Sequence, residues 1–167
     1  MTIRPARESD LPELLAIYNY EVEHGVATLD LNPRTPDEWK EWFSAHQTDS
    51  HFILAGEENG AAIGYASLSE YRQKEAYAST ADLSVYISPD FRRKGAASAL
   101  IDAVLDRAKE CGTLHSVVSV ITAGNEASEK LHQKFGFAFC GTLHQVGFKH
   151  GKYHDIDNFE LIFDGQK

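Results

Sequence analysis

The segment VYISPDFRRKGAASALI, residues 85–101, contains a β-strand pattern, a proline, three adjacent cations and a glycine that precedes a helical pattern. Pro89 ends the strand because proline cannot donate to a sheet ladder. Gly95 permits a positive φ or a close backbone approach, and the residues after it are small. The first amides of a helix have no intrahelical acceptor and bind anions. The segment therefore predicts a strand, an anion-binding turn and a helix.

The chain as a whole is acidic, so the cations of residues 92–94 are a local exception. Its formal net charge is −9 over 167 residues, which argues against nonspecific binding to nucleic acid or to anionic membranes. Its size predicts one domain, residues 1–167. We expect a cytoplasmic protein, because we see no apolar signal core, no membrane span and only two isolated cysteines. An anionic ligand such as a pyrophosphate then needs a local binding site that offsets the negative charge of the chain, and the glycine turn with its cations can provide one.

Hydrophobic periodicity and turn signals predict the order strand, two helices, three strands, helix, strand, helix and two strands. Asp10 with Glu13 predicts a capping box at the first helix, and Thr35 with Glu38 predicts one at the second. The run HSVVSVI, residues 115–121, predicts a strand that is buried on both faces. The sequence thus indicates a mixed α/β sheet in one layered domain.

Several segments resemble those of a known family. Residues 85–101, followed by NEASEKLHQKFGF at 125–137, are similar to the two cofactor motifs of the GNAT acyltransferase superfamily. The match is closer to its phosphinothricin/methionine sulfoximine acetyltransferase branch. The segments in that branch's order and spacing are IRPARESDLPELLAIYNYEV (3–22), TPDEWKEWF (35–43), YRQKEAY (71–77), DLSVYISP (82–89) and GFKHGKYHD (147–155). The resemblance implies a GNAT fold, with a mostly antiparallel mixed sheet, one splayed parallel strand pair and flanking helices.

The resemblance also implies acetyl-CoA as co-substrate and no metal. In the family, the strand before the glycine turn pairs its free backbone with the pantetheine arm and the thioester, while the turn amides bind the pyrophosphate. Asn125 is expected to contact the pantetheine and also to cap its own helix. The implied cofactor-binding residues are Val85, Tyr86, Ile87, Arg92, Arg93, Lys94, Gly95, Ala96, Ala97, Ser98, Asn125 and Lys134.

Two residues are implied for the proton transfers. An alkylamine is protonated at neutral pH, so a carboxylate must accept its proton. Asp82 stands where the branch usually has glutamate, and its shorter side chain reaches the amine directly or through water. His132 stands where most members of the superfamily have tyrosine, and it is the expected proton donor to the leaving thiolate. The alternative for His132 is a hydrogen-bonded core histidine.

The acceptor is implied by YRQKEAY. The branch uses a basic pair at the positions of Arg72 and Lys74 to bind the carboxylate of an amino-acid-like amine, although Lys74 replaces the commoner arginine. An exposed charged loop is the alternative. The implied substrate-binding residues are Arg72, Lys74, Tyr77, Leu83 and Ser84. A polyamine, drug or protein N-terminus as acceptor, and a noncatalytic acyl-CoA-binding domain, remain open.

The C-terminal region predicts structure and assembly. GFKHGKYHD predicts a hairpin that closes the acceptor pocket or lies at the interface of a homodimer, and Tyr153 replaces the tryptophan that is usual there. This region also contains three histidines and two aspartates, namely His144, His150, His154, Asp155 and Asp157. Their spacing is not that of a compact metal site. Cys111 and Cys140 lie among apolar residues, so we expect both to be buried and inert.

Overall fold

The computed structural model describes residues 1–163, and its centre is a seven-stranded mixed sheet. The strands are β1 (Thr2–Pro5), β2 (Phe52–Glu58), β3 (Ala61–Glu70), β4 (Thr80–Ile87), β5 (Ser116–Thr122), β6 (Ala138–Lys149) and β7 (Lys152–Ile162). The helices are α1 (Leu11–His24), α2 (Pro36–Ala45), α3 (Ala96–Glu110) and α4 (Glu126–Lys134). The sheet order is β1-β2-β3-β4-β5-β7-β6, and all neighbours are antiparallel except β4 and β5. The predicted fold class is confirmed.

The parallel pair β4–β5 separates after a short paired stretch. Residues 80–82 of β4 pair with residues 116–118 of β5. Beyond that point β4 continues to pair with β3, and β5 continues to pair with β7, but β4 and β5 no longer pair with each other. Their facing edges therefore border an open cleft, which we call the splay, between residues 83–87 and residues 119–122.

The two faces of the sheet carry different helices. One core contains the buried residues of α3 together with Leu83 and Ile87 of β4, and α4 contributes Leu131. The other core joins α1 and α2 to the sheet, and Tyr86 packs against it. Because side chains alternate along a strand, Asp82 and Ser84 share the face of Tyr86. We call this the Asp82 face.

The two predicted capping boxes have different outcomes. At α2 the prediction is confirmed: the Glu38 amide donates to Thr35 Oγ1 over 3.3 Å, and the Thr35 amide donates to Glu38 Oε2 over 2.8 Å. At α1 it is wrong, because Asp10 makes no side-chain cap. Its carboxylate instead accepts hydrogen bonds from the Arg4 guanidinium over 2.7 and 2.8 Å. A charged partner on β1 therefore takes the oxygen atoms that a cap would use.

Two burial predictions are also wrong. The strand β5 alternates, with Val117 and Ile121 buried and Val120 43% exposed. Its second face is not fully covered because β5 borders the splay. Cys140 is exposed, since it lies on the edge strand β6 at a break in the pairing register, and Cys111 is half-buried. Within residues 1–163, no helix has the length and apolar character needed to cross a membrane.

Candidate active site

The turn before α3 presents its amides outward. Gly95 has a φ of 85° and Arg93 a φ of 58°, so both lie in the left-handed region. The first helical hydrogen bond runs from the Ala99 amide to the Gly95 carbonyl over 3.1 Å. The amides of residues 96–98 therefore have no acceptor within the helix. We call residues 93–98 the phosphate cradle. A Cβ atom at Gly95 would meet no other atom within 4 Å, so the space beside these amides is open.

The cations around the cradle are largely bound to the protein itself. Arg92 donates from Nε to the Ile87 carbonyl over 3.1 Å and forms an ion pair with the buried carboxylate of Glu21. Lys94 donates to the Asp90 carbonyl over 2.8 Å. Lys134, on α4, donates to Ser98 Oγ over 3.0 Å, which brings its ammonium to the cradle. The groups left free for an anion here are the backbone amides and Arg93, which lines the neighbouring cavity and forms no ion pair within residues 1–163.

Glu21 is a site residue that motif analysis missed. It lies 71 positions before Arg92, and no local pattern connects the two. In the structure Gly25, directly after α1, leaves room for this carboxylate, because a Cβ atom there would lie 2.0 Å from Glu21 Oε2 in its present position.

A cavity of about 530 Å³ extends from the cradle along β4 to α4. Most of the predicted cofactor residues line it, but Lys94 and Lys134 do not. Sequence reasoning missed Val26 and Ala27 of the α1–α2 loop, and also Phe91 and Leu131, because the fold rather than a motif brings them here. The lining residues from the prediction are Val85, Tyr86, Ile87, Arg92, Arg93, Gly95, Ala96, Ala97, Ser98 and Asn125. Asn125 also caps α4, with its Oδ1 accepting from the Ser128 amide over 3.3 Å.

The backbone of β4 offers hydrogen-bonding groups to the splay. Ser119 Oγ of β5 lies 3.4 Å from the Leu83 carbonyl oxygen, and the Ile87 carbonyl accepts from Arg92 Nε over 3.1 Å. Both carbonyls therefore point toward β5. Val85 lies midway between them and has the same orientation by strand alternation. Its N–H and C=O groups consequently face the splay, where β5 does not pair with β4.

Asp82 lies at the apex of the splay, where the paired stretch ends. It pairs with Ser69 of β3 and with Val118 of β5. Its side chain is half-buried and accepts no hydrogen bond from residues 1–163. Burial raises the pKa of this carboxyl group from 3.8 to about 6. A carboxylate with this pKa is well matched to accepting a proton near neutral pH.

His132 is buried on α4, with 2% of its surface exposed. Its Nδ1 lies 2.8 Å from the Ser128 carbonyl, so Nδ1 carries the proton. Its Nε2 lies 2.9 Å from Ser119 Oγ and accepts the serine hydroxyl proton. Burial lowers the pKa of the ring, which favours the neutral form. Ser119 was missed, although a serine within a β-branched run is a visible signal.

The remaining predicted substrate residues lie in three places. Arg72 and Lys74 are exposed in the β3–β4 loop, and neither forms an ion pair with residues 1–163. The Arg72 guanidinium lies 4.9 Å from the ring centroid of Tyr71 and 5.7 Å from that of Tyr77. Ser84 is on the Asp82 face. The Leu83 side chain is buried in the core beneath α3, so it points away from that face.

A second cavity, of about 330 Å³, lies between α2 and the Asp82 face of β3 and β4, and we call it the α2 cavity. It is lined by aromatic and small polar residues and by one ion pair at its rim, namely Tyr18, Arg34, Glu38, Trp39, Trp42, Tyr65, Ser67, Ser69, Ser84 and Tyr86. No sequence motif marks it, since its residues come from α1, α2, the loop between them and two strands.

The predicted C-terminal hairpin forms, with its turn at His150 and Gly151. Lys149 is buried and donates to the Thr28 carbonyl over 2.8 Å, and His150 Nε2 lies 3.1 Å from the Gly25 carbonyl. The hairpin therefore holds the α1–α2 loop and lines neither cavity. The other two histidines are separately bound, His144 to Asp155 and His154 to the Lys149 carbonyl. In the described part of the chain, no group of three potential metal-ligating side chains is close enough to hold a metal ion.

Comparison with known proteins identifies the family. Residues 14–137 match the model of the Acetyltransferase (GNAT) family. The chain is 36% identical over 161 residues to a phosphinothricin N-acetyltransferase of Streptomyces coelicolor, covering 95% of this chain and 94% of that protein. It is 37% identical over 164 residues to an L-methionine sulfoximine/L-methionine sulfone acetyltransferase of Pseudomonas paraeruginosa, covering 98% and 95%.

A solved acetyltransferase from Salmonella typhimurium, with its cofactor acetyl-CoA, superposes with a TM-score of 0.95 at 34% identity. The match covers 100% of this chain and 96% of that one. The family match spans most of the chain, and these relatives share its whole length. The chain therefore belongs to the GNAT acetyltransferase family.

Proposed function

We propose that this chain transfers the acetyl group of acetyl-CoA to the primary amine of a small amino acid or analogue that has a free carboxylate. Phosphinothricin, methionine sulfoximine and methionine sulfone are the candidates that its relatives' names suggest. The observation that carries the proposal is Asp82. It is a half-buried carboxylate without a hydrogen-bond partner among the described residues, at the apex of a splay whose other end is a phosphate cradle.

The residues of the large cavity fit acetyl-CoA. The free amides of the cradle suit the pyrophosphate, and Lys134 adds a cation beside them. The N–H and C=O groups of Val85 suit the pantetheine amides or the thioester oxygen. Acetyl-CoA supplies the activated acetyl group, and the chain supplies position and hydrogen bonds.

The transfer requires three proton movements. The ammonium loses one proton before its nitrogen can attack, and Asp82 is the proposed acceptor of this proton, directly or through water. As the nitrogen–carbon bond forms and the carbon–sulfur bond breaks, the nitrogen loses a second proton to water and the thiolate gains one. For the proton that the thiolate gains, His132 remains the predicted donor, acting through the Ser119 hydroxyl. That role requires the doubly protonated ring, which its lowered pKa makes scarce at neutral pH.

Arg72 and Lys74 are the proposed binding groups for the acceptor's carboxylate. Both cations are exposed and unpaired within residues 1–163, and two tyrosine rings flank the Arg72 guanidinium. A guanidinium held in this way can bind a carboxylate through two hydrogen bonds.

We also infer a cytoplasmic homodimer. Its support is the edge strand β6 and its neighbour β7, which expose large apolar side chains, namely Phe139, Leu143, Phe148 and Tyr153. An exposed edge with apolar side chains is a typical pairing surface. Light scattering should give twice the 18.6 kDa chain mass, and a monomer at all concentrations would contradict the inference.

The test of function is thiol release from acetyl-CoA over a panel of amines. We expect turnover with methionine sulfone, methionine sulfoximine or phosphinothricin, and mass spectrometry should find the N-acetyl product. Turnover confined to polyamines, amine drugs or peptide N-termini would mean that the acceptor belongs to that class and is not a small amino acid. Tight CoA binding without turnover on any amine would contradict the enzymatic proposal and favour an acyl-CoA-binding domain.

A further inference from the structure

The hairpin between β6 and β7 contains a buried cation that the proposed reaction does not use. Lys149 is 3% exposed, and it forms no ion pair within residues 1–163. Its ammonium instead donates to two backbone carbonyls, that of Thr28 over 2.8 Å and that of Glu21 over 3.3 Å. Burying an ammonium is costly, and an uncharged side chain of similar length would fill the same space at lower cost. The segment that the ammonium binds therefore needs a functional explanation.

Lys149 joins the two ends of that segment. Glu21 lies in the last turn of α1, where the helix dipole favours a cation, and Thr28 lies in the loop that follows. A single ammonium thus binds both ends of residues 21–28, which we call the α1 corner. The ammonium closes this stretch of chain without any contact between its two ends.

Two further donors bind carbonyls in the middle of the α1 corner. Thr122 Oγ1 donates to the Val26 carbonyl over 2.6 Å, and His150 Nε2 lies 3.1 Å from the Gly25 carbonyl. Together with Lys149, these donors come from β5 and the β6–β7 hairpin, which are far along the chain from the corner. The position of the corner is therefore set from the C-terminal half of the chain.

The α1 corner forms one wall of the proposed cofactor site. Val26 and Ala27 line the large cavity, and Ala27 also borders the splay. At the start of the corner, the Glu21 carboxylate is paired with Arg92, which lines the same cavity. Lys149 itself lines none of these cavities. Any effect of Lys149 on the cofactor must therefore act through the corner.

We propose that Lys149 is a positioning residue for acetyl-CoA, because its ammonium holds the α1 corner in the place where Val26 and Ala27 line the cofactor cavity. This inference rests on the proposed function, which puts the cofactor in that cavity. Without the ammonium, only a fraction of the molecules have the corner in place, and the apparent Kd rises by the inverse of that fraction. Once the cofactor is bound, the corner is in place, so kcat at saturating acetyl-CoA is retained.

The first test separates affinity from turnover. Lys149→Met keeps an unbranched side chain but removes the ammonium. Calorimetry should give a Kd for CoA about 10-fold higher, as expected for the loss of a charged hydrogen-bond donor. KM for acetyl-CoA should rise with it, while kcat stays within about twofold of the wild type. Lys149→Arg keeps a cationic donor and should recover part of the affinity.

Lys152→Met is the matched control. Lys152 is an exposed cation of the same hairpin and pairs with Lys149 across the turn, so its loss should leave the Kd for CoA unchanged. An unchanged Kd in Lys149→Met, an equal rise in Lys152→Met, or a fall in kcat without a change in KM for acetyl-CoA would overturn the proposal.

Hydrogen exchange locates the change. The Gly25 amide donates to the Glu21 carbonyl over 3.0 Å, and the Asp30 amide donates to Thr28 Oγ1 over 3.2 Å. In Lys149→Met without CoA, both amides should exchange faster while those of α3 do not, and saturating CoA should restore their protection. Faster exchange throughout the sheet, or none at the corner, would mean that Lys149 does not act by positioning the corner.

Two arrangements keep the test decisive. If Lys149→Met does not fold, His150→Gly removes an exposed donor to the Gly25 carbonyl and suits the positive φ of this residue. It should raise the Kd for CoA by a smaller factor, and an unchanged Kd would count against the proposal. No CoA binding by the wild type would reject both the proposed function and this inference. Tight CoA binding that does not depend on Lys149 would reject only the inference.

Discussion

The two sides of β4 present different kinds of group to their proposed ligands. On the cofactor side, the groups that face the cavity are mainly backbone amides and carbonyls, arranged by the positive φ of Gly95 and by the divergence of two strands. On the acceptor side, the groups are side chains from α2, β3 and the β3–β4 loop. Backbone binding requires only small residues and the right turn, whereas side-chain binding depends on the identity of each residue. In the proposed function, cofactor recognition thus depends on local geometry, and acceptor recognition depends on the packing of separate elements.

The largest effect that separates the two sides is expected at Asp82. Asp82→Asn removes the proton acceptor, so kcat should fall by roughly 100-fold or more, while the Kd for CoA should stay unchanged. In the wild type, kcat should decline below pH 6, since the pKa of Asp82 is about 6. Stopped-flow or steady-state thiol assays over pH 5–9 measure both. If kcat of the variant still declines below pH 6 as in the wild type, Asp82 is not the proton acceptor.

The same variant, although it lowers kcat, should be more stable than the wild type at high pH. Burial raises the pKa of Asp82 in the folded state, so its ionisation destabilises the fold increasingly as pH rises from about 4 to about 6. Asp82→Asn should therefore raise the free energy of unfolding at pH 8, by at most about 3 kcal/mol, and by less at pH 5. The rise in Tm should be larger at pH 8 than at pH 5. Asp155→Asn is the control and should instead lower Tm at pH 8, because hydrogen bonds from the Gln145 amide and His144 lower the pKa of Asp155. Equal Tm changes at both pH values would contradict this account of Asp82.

The second effect is on the cofactor side. Gly95→Glu places a carboxylate beside the free amides, so the Kd for CoA should rise by roughly 100-fold through lost charge-assisted hydrogen bonds. Calorimetry or ligand-induced shifts in Tm measure this. Gly112→Glu is the matched control, because Gly112 also has a positive φ and an open Cβ direction, and it lies at the other end of α3. Equal loss of CoA binding in both variants would mean that strain, not phosphate exclusion, is responsible.

A smaller effect is expected at Arg72. Arg72→Ala should raise KM for an amino acid acceptor by about 10-fold, the loss of a charged hydrogen-bond donor, without changing KM for acetyl-CoA. The acceptor's carboxamide analogue serves as control, since its KM should respond much less. Parallel increases in both acceptors, or an increase in KM for acetyl-CoA, would argue against carboxylate binding at this loop.

The smallest effect belongs to Lys94. Its ammonium donates to the Asp90 carbonyl and does not line the cofactor cavity. Lys94→Ala should weaken CoA binding by about threefold or less, as expected for an exposed charge. A loss as large as that of Gly95→Glu would mean that side-chain cations, rather than amides, dominate the cradle.

Local patterns were sufficient to predict the strand, turn and helix that border the large cavity. Pro89, Gly95 and the small residues after it restrict the backbone to one kind of strand–turn–helix, and the structure has that turn. The Thr35 box is confirmed for the same reason, since both partners lie within one helical turn. Local patterns do not predict a hydrogen bond when a residue outside the helix competes for the same atoms. Asp10 does not cap α1, because its carboxylate accepts from Arg4 of β1 instead.

The acceptor side was predicted only in part. Asp82 is implied by the resemblance, since it stands where the branch usually has glutamate, but its raised pKa results from burial in the folded chain. Ser119, Glu21 and the α2 cavity depend on contacts between separate elements. The exposure of Val120 in a β-branched run follows from the splay, which no single strand encodes. Such features arise from tertiary pairing and are not visible in one segment.

The central claim is that one splay brings a backbone-bound cofactor and a side-chain-bound amine together at Asp82. A crystal structure with CoA and methionine sulfone bound together tests this most directly. We predict the pyrophosphate on the amides of residues 93–98, the pantetheine beside Val85, and the amine within reach of Asp82 directly or through one water. A sulfone bound elsewhere, or an amine nearer to another base than to Asp82, would contradict the account.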